Sequence, residues 1–510
     1  MTRLTRNVLY NLTGQGLVIL LSFIAVRFIF RRLGSDAFGI IYFSTIITLV
    51  LTSALELGIS STTIREVSRS SDSEPRYIVD LIRTASLFYW VTGGLLLVAI
   101  VLAAPLLVTH WINLKNTDTS TASSMLRILS ITAVVALPRV LYGSLIRGKQ
   151  RMGLTNGIDV ATAVVQQSGT LALLALGAGV FAVVTWLSAI AVLSTAAYMV
   201  MTARIFGVGS LLPGYSGEVV RRNLHFTLQM SAISVLSIIH SQADKIVVSK
   251  LLPVADFGFY SFASTTATRA TFVTGAISQA AFPAFSARHH EGDKPGLLEQ
   301  YRKLQDLVTF GTLPVFSAIC FAALPVYGYV FNNSVAQRLL LPTALLALGS
   351  YFNAMLNIPN VLSLAVGRAD IATRLNVYAL VTVLPVTVVL IYAYGLPGAG
   401  FSWVFYHLFA LAYAIPRMCR ECIGMEPRSW YSQVLKVLGL GAVTYGVAWL
   451  VLLALGAFSF VALGLAYVAA TAGFAIGTYL LVGSELRQSI RRLPEMLGRS
   501  SVETIPGPPT

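Results

Sequence analysis

The chain has 510 residues, 56% of them hydrophobic and only 11% charged, with a mean hydropathy of +0.75; soluble domains carry roughly 25% charged residues. A soluble fold could not bury that much apolar surface, so the length stands for helices packed side by side in lipid and not for several compact domains. The formal charge of +15 would suit nucleic acid as well as a membrane, and the placement of the basic residues decides between them.

The first apolar run, residues 8–30, is longer than the apolar core of a secretory signal and lacks a small-x-small cleavage site, so it reads as a retained span. Further runs follow at 38–60, 85–108, 125–146, 158–178, 181–203, 226–250, 258–284, 306–331, 340–364, 377–394, 397–416, 437–456 and 459–482. Most reach the roughly 20 residues that a hydrocarbon core demands. The spacing predicts an all-α integral membrane protein of about fourteen spans, with the softest boundaries at the close joins around Gly179 and Gly395. The stretch 498–510 is Pro- and Gly-rich and is expected to be a disordered cytoplasmic tail.

Lys and Arg set the orientation. With the N-terminus inside, the cytoplasmic segments collect 26 of them and the outer segments only Arg31, Arg32, Lys115, Lys250 and Arg338. Both termini are therefore expected in the cytoplasm. Basic loops facing anionic lipid headgroups account for the net charge without nucleic acid.

Little else in the chain speaks of covalent chemistry. Three cysteines and six histidines leave no evident metal or disulfide framework; Cys419 and Cys422 form half a zinc site at best. There is no phosphate-binding glycine loop of the G-x-x-x-x-G-K-[ST] kind and no nucleophile elbow. The expectation is a non-enzyme without a bound cofactor or metal.

The chain repeats itself. Leu-Gly-Ser-Asp-Ala-Phe-Gly-Ile-Ile-Tyr at 33–42 recurs as Leu-Pro-Val-Ala-Asp-Phe-Gly-Phe-Tyr at 252–260. Arg6-Asn7 is echoed by Arg222-Asn223, Pro138-Arg139-Val140-Leu141 by Pro359-Asn360-Val361-Leu362, and Gly148-Lys149 by Gly367-Arg368. The matches keep one order at nearly one offset. They divide the chain into a six-span lobe at 1–210, a second at 216–420 and an added hairpin at 437–482. Six spans being even, the second lobe enters the membrane as the first does, which makes a parallel repeat with a cleft on its axis.

These residues resemble the multidrug/oligosaccharidyl-lipid/polysaccharide (MOP) exporter superfamily: the Leu-Gly-x-x-x-Phe-Gly-x-x-Tyr turn after the first span, Glu56-Leu57-Gly58 with Arg65 soon after, Asp244 before Lys250, and the final hairpin. Within it the chain is most similar to the polysaccharide branch, the Wzx-type flippases. The resemblance implies movement of an undecaprenyl-pyrophosphate-linked oligosaccharide across a bacterial cytoplasmic membrane, driven by H⁺ or Na⁺. It also implies a hairpin groove for the polyprenyl tail and work alongside a polysaccharide polymerase and chain-length machinery. A peptidoglycan-precursor flippase and a cation-coupled multidrug exporter are the alternatives within the superfamily.

Charges inside the spans are the candidate site, because each costs roughly 2.5–3.5 kcal/mol at a helix centre on insertion scales. Arg269 lies about 16 Å into its run at 1.5 Å per residue, too deep to snorkel easily, and is the first candidate for a cationic cavity. Arg139, behind the helix-opening Pro138, Lys245 and Arg27 join it as candidate phosphate holders, guanidinium forks being best suited to phosphate. Arg27, like Arg127 and Asp159, also sits near enough to a span end to reach the interface. Asp244 is the candidate for ion coupling; it and Lys245 are some 100° apart on a helix and need not pair. Glu56 would pair with Arg65 at a closed inner gate or else be a solvated helix end. Asn11, Gln15, Gln166, Gln167, Gln229, Gln242 and Gln279 are candidate sugar contacts or inter-helix bonds.

Overall fold

A computed structural model describes residues 18, 20–55, 58–70 and 73–481. It is helical almost throughout. Helix α1 covers 20–33 and is followed by α2 (Ser35–Leu55), α3 (Ile59–Ser70), α4 (Pro75–His110), α5 (Thr119–Gly148), α6 (Met152–Ala175) and α7 (Val180–Phe206). The second half holds α8 (Gly217–Leu251), α9 (Val254–Arg269), α10 (Phe272–His290), α11 (Lys294–Val330), α12 (Asn333–Ala365), α13 (Ala369–Tyr394) and α14 (Leu396–Ile423). Helix α15 (Pro427–Gly441) passes through a π-turn into α16 (Val447–Leu455), and α17 (Phe460–Leu481) completes the hairpin. No strand occurs among the described residues.

Among the described residues, eleven helical segments are long and apolar enough to cross a membrane: α2, α4 to α7, α11 to α14, the α15–α16 rod and α17. The other three expected runs have specific reasons for standing apart. The first is described only from residue 18 onward; the seventh falls on α8, which carries Asp244 and Lys245; the eighth is cut in two. That cut, between α9 and α10, is a correction to the continuous run expected at 258–284. Hydroxyl side chains make it tolerable in lipid: Thr268 donates to the Ser264 carbonyl at 2.8 Å and Thr271 to the Thr268 carbonyl at 2.6 Å. Carbonyls at a broken turn are thus partly satisfied without water.

The backbone groups into two compact units. One comprises Met1–Ala263, Tyr327–Pro342 and Asn376–Ser402; the other comprises Ser264–Val326, Thr343–Leu375 and Trp403–Thr510, each within the described residues. This grouping does not follow the duplication, since α8 and the first part of α9 pack with the helices of the first half. The expected tail at 498–510 lies outside the described residues.

In the first unit α5 is the hub, with 61% of its most apolar window buried. Apolar contact alone gives helices little reason to associate in lipid, so small and hydroxylated residues do much of the joining. Ser60 bonds Ser144, Thr132 bonds Ser188 at 3.2 Å, and Thr195 donates to the Val135 carbonyl at 2.9 Å. Asp118 caps α5 by accepting from Ser120 and from the Thr121 backbone, bonds that push its carboxyl down to about 2.

The second unit has a larger aromatic core, in which Phe285, Phe316, Tyr351, Trp430 and Phe474 are buried together. The final hairpin closes on itself, with the Tyr445 and Tyr467 rings stacked at 6.2 Å and Tyr445 bonded to Thr471. It docks on α11 through the Tyr467 hydroxyl, which donates to the Pro314 carbonyl at 3.1 Å. Its outward residues, among them Leu450, Val461 and Ile476, are well exposed and form a lipid face.

Candidate functional site

Helix α8 is tied to the first half's helices at both of its ends. At the end carrying the α3–α4 connection the central residue is Glu66, only 3% exposed. Its Oε2 accepts from the Tyr77 hydroxyl at 3.1 Å and lies 3.6 Å from an Arg222 nitrogen, and its Oε1 accepts from Arg65 Nε at 3.0 Å. Arg222 also forks onto Glu74 at 2.7 and 3.2 Å, and it lies over the Tyr77 ring. Asn223 donates to the Tyr77 hydroxyl at 2.8 Å and accepts from Arg65 at 3.2 Å. Thr62 meets Thr227 at 3.0 Å one turn further in. A buried carboxylate is tolerable only when paired and fully bonded, and this cluster supplies both conditions. Outside the helices, the hydrogen bond from Arg222 holds the Glu74 carboxyl below its usual range.

At the opposite end the repeated motif joins α2 to α9. Gly39 and Gly258, the two Phe-Gly glycines, sit where α2 crosses α9: a Cβ on Gly258 would come 2.9 Å from the Gly39 Cα, and one on Gly39 would strike the Val254 carbonyl. Around them Phe30, Phe38, Phe259 and Phe331 form an aromatic cluster with ring centroids 5.0 to 6.4 Å apart. The motif's acids anchor neighbouring turns. Asp36 accepts from the backbone N–H groups of Lys115, Asn116 and Thr117 at 2.7 to 3.1 Å, and Asp256 takes a forked bond from Arg338 at 2.8 and 2.9 Å. Trp111 donates to Ser249 at 3.0 Å, and Asn113 to the Lys250 carbonyl at 2.9 Å.

The candidate cations fare differently. Lys245 and Asp244 do pair, at 3.5 Å, both buried, and Tyr260 donates to the other Asp244 oxygen at 2.6 Å. Adjacent positions did not require this pairing; the reach of the lysine side chain permits it. Arg139 bonds Asp159 at 2.7 Å, and Asp159 accepts from Tyr198 at 2.9 Å; α5 runs unbroken through Pro138, so the proline does not open the backbone there. Arg27 lies over the Tyr329 ring at 3.7 Å and donates to the Tyr329 carbonyl. Arg127 donates to the Val101 carbonyl at 3.2 Å.

Arg269 stands apart. It is the last residue of α9, exposed at the break before α10, and makes no hydrogen bond, ion pair or ring contact among the described residues. Glu56, Asn11 and Gln15 lie outside the described residues, as do the side chains of Gln229 and Gln279. Arg65 pairs with Glu66, its chain neighbour. Gln167 donates to Ser22 at 3.4 Å, a bond between helices, and Gln242 is buried beside Ser241. No cluster of three or more metal-ligating side chains occurs among the described residues.

Glu66, Tyr77, Glu74 and Asp36 were not singled out by the sequence reading. One signal was present, because Arg222-Asn223 had already marked itself as an echo of Arg6-Asn7, and that pair turns out to clasp α3 and α4.

The fold is one shared with solved multi-pass membrane proteins. It superposes on the lipid II flippase MurJ in its inward closed conformation with a TM-score of 0.71 at 11% identity, covering 95% of this chain and 100% of that one. It also superposes on an inward-facing multidrug resistance MATE family transporter of the MOP superfamily, with a TM-score of 0.64 at 14% identity over 82% and 96% of the two chains. The family model described as "Polysaccharide biosynthesis protein" matches residues 28–337, and the chain belongs to that family. A putative O-antigen transporter of Shigella flexneri is 23% identical over 436 residues, 81% of this chain and 98% of that protein.

Proposed function

We propose that the protein is a flippase that carries an undecaprenyl-pyrophosphate-linked oligosaccharide repeat unit across the bacterial cytoplasmic membrane for surface-polysaccharide synthesis. The observation that carries this reading is the family match over residues 28–337, seconded by the near full-length similarity to an O-antigen transporter. In this cycle no covalent bond changes. Both termini lie in the cytoplasm, which makes the Glu66 cluster the inner seal and the Gly39–Gly258 crossing the outer one.

Arg269 is the residue to hold pyrophosphate. A guanidinium at a break inside the span, with no partner among the described residues, keeps its fork of donors for a ligand. Arg139, Lys245 and Arg27 are held by Asp159, Asp244 and Tyr329 in this state and join only if those contacts exchange. Alternating access then amounts to breaking one seal on α8 while the other holds. H⁺ or Na⁺ acting at Asp244 would bias that exchange by competing with Lys245 for the carboxylate. Glu56 keeps its place as a second candidate, with Arg65, on the inner side. The hairpin's lipid face serves the polyprenyl tail, and a polymerase with its chain-length partners takes the product.

The test is flipping of defined lipid-linked donors by reconstituted protein. Arg269→Ala is expected to abolish it and Arg269→Lys to retain part. Full activity in both would remove Arg269 from the mechanism, and a preference for a peptidoglycan precursor over an oligosaccharide donor would reassign the substrate.

A further inference from the structure

A second polar site lies in the second unit. Where α11, the first turns of α15 and Leu481 at the end of α17 meet, they enclose a cavity of about 310 Å³. Arg302 and Lys436 stand exposed on its rim, and neither is held in an ion pair among the described residues. Deeper in lie Gln305, 6% exposed, and the half-buried Asp306.

The bonding of Gln305 makes the site specific. Its Nε2 donates to the Met355 carbonyl at 3.3 Å and to the Thr309 hydroxyl at 3.1 Å. A carbonyl can only accept, so the amide orientation is decided, and Oε1 is left buried without a donor among the described residues. Asp306 Oδ1 accepts from Gln433 at 3.3 Å and has lone pairs to spare. The cavity thus has two exposed cations and two residues with spare acceptor oxygens, Gln305 and Asp306, in its lining. A buried acceptor left unpaired costs about 1–3 kcal/mol, so a ligand hydroxyl placed there is favoured.

We infer that this cavity binds the headgroup of an anionic phospholipid bearing a free hydroxyl, phosphatidylglycerol being the type. The phosphodiester sits between Arg302 and Lys436 and the glycerol hydroxyls reach Gln305 and Asp306. A lipid fits better than free phosphate because α15 begins at this level, beside the half-buried Tyr431, an aromatic residue of the kind expected at headgroup depth. Met425 and Leu481 add apolar wall. Exposed Leu435 and Val443 continue along the same rod toward the membrane interior, where acyl chains would lie.

The experiment is native mass spectrometry of the full chain with dioleoyl-phosphatidylglycerol, dioleoyl-phosphatidylmethanol, phosphatidylcholine and inorganic phosphate. Phosphatidylglycerol should be retained best. The exposed-site double variant Arg302→Gln/Lys436→Gln should lose that preference by about tenfold or more, the scale of a lost charged hydrogen bond. Ser432→Asp, which adds a carboxylate at the rim, should do the same. Gln305→Leu should weaken phosphatidylglycerol while leaving phosphatidylmethanol, which has no headgroup hydroxyl, unchanged. Equal retention of phosphatidylglycerol by wild type and both rim variants overturns the site. Displacement of the lipid by millimolar inorganic phosphate overturns its assignment to a lipid.

Discussion

Glu66 of α3 and Arg222 of α8 face each other at 3.6 Å, with the Tyr77 hydroxyl bonded to the same carboxylate oxygen. Residues 156 positions apart in the chain are thereby joined in a buried cluster at one end of α8. Opening that end requires their separation.

Glu66→Gln keeps the shape and removes the charge. A hydrogen bond to a charged group contributes about 1.5–3 kcal/mol, so separation of α3 from α8 should become roughly ten- to a hundredfold more favourable. In a background lacking Cys320, Cys419 and Cys422, a cysteine at buried Thr62 should react faster with a polar maleimide in the Gln variant. Unchanged labelling would mean that the cluster does not hold the seal.

The pH dependence of the same end has a defined sign. Arg222 lowers the Glu74 carboxyl, so the contribution of Glu74 is fully present above its ordinary value of 4.5 and is lost as pH falls through the lower folded value. The wild type should therefore label more slowly than Glu74→Gln at neutral pH, and the two should converge as pH falls through the lowered folded value. A gap that survives acidification would point to another partner.

The Gly39–Gly258 crossing should be intolerant of volume. A methyl at Gly39 meets the Val254 carbonyl, and overpacking of this kind costs about 1–3 kcal/mol. Gly39→Ala should lower thermal stability in detergent, whereas Gly94→Ala, with open space at its Cβ, should not. Equal melting of both variants would show that α2 and α9 do not rely on close approach.

Asp36 is 2% exposed and accepts from three backbone N–H groups. Asp36→Ala leaves those donors without their acceptor and should destabilise by about 2 kcal/mol or more, with Asp36→Asn intermediate because it retains an oxygen without the charge. Thermal melts of the three proteins provide the comparison, and an alanine variant as stable as the wild type would contradict the anchoring role.

The helical class and most span positions were legible in the sequence, because the penalty for exposing polar backbone or charge to lipid is written into every span as a run of apolar residues. The two Phe-Gly pairs were legible as an echo, and their glycines meet where α2 crosses α9. The break after Arg269 was less so. Its signal, the hydroxyl-rich stretch Ser264 to Thr271, resembles ordinary inter-helix bonding until the donors are seen turned back on their own carbonyls.

By itself, then, the sequence determined which segments enter the membrane and that a charge as deep as Arg269 would need a reason to be there. Which charges are already satisfied was decided only by tertiary structure. Asp159 is 20 positions from Arg139, and Glu74 is 148 from Arg222. Hydropathy reads one helix at a time, whereas a carboxylate that meets a guanidinium across helices depends on rotation and register, which only packing sets.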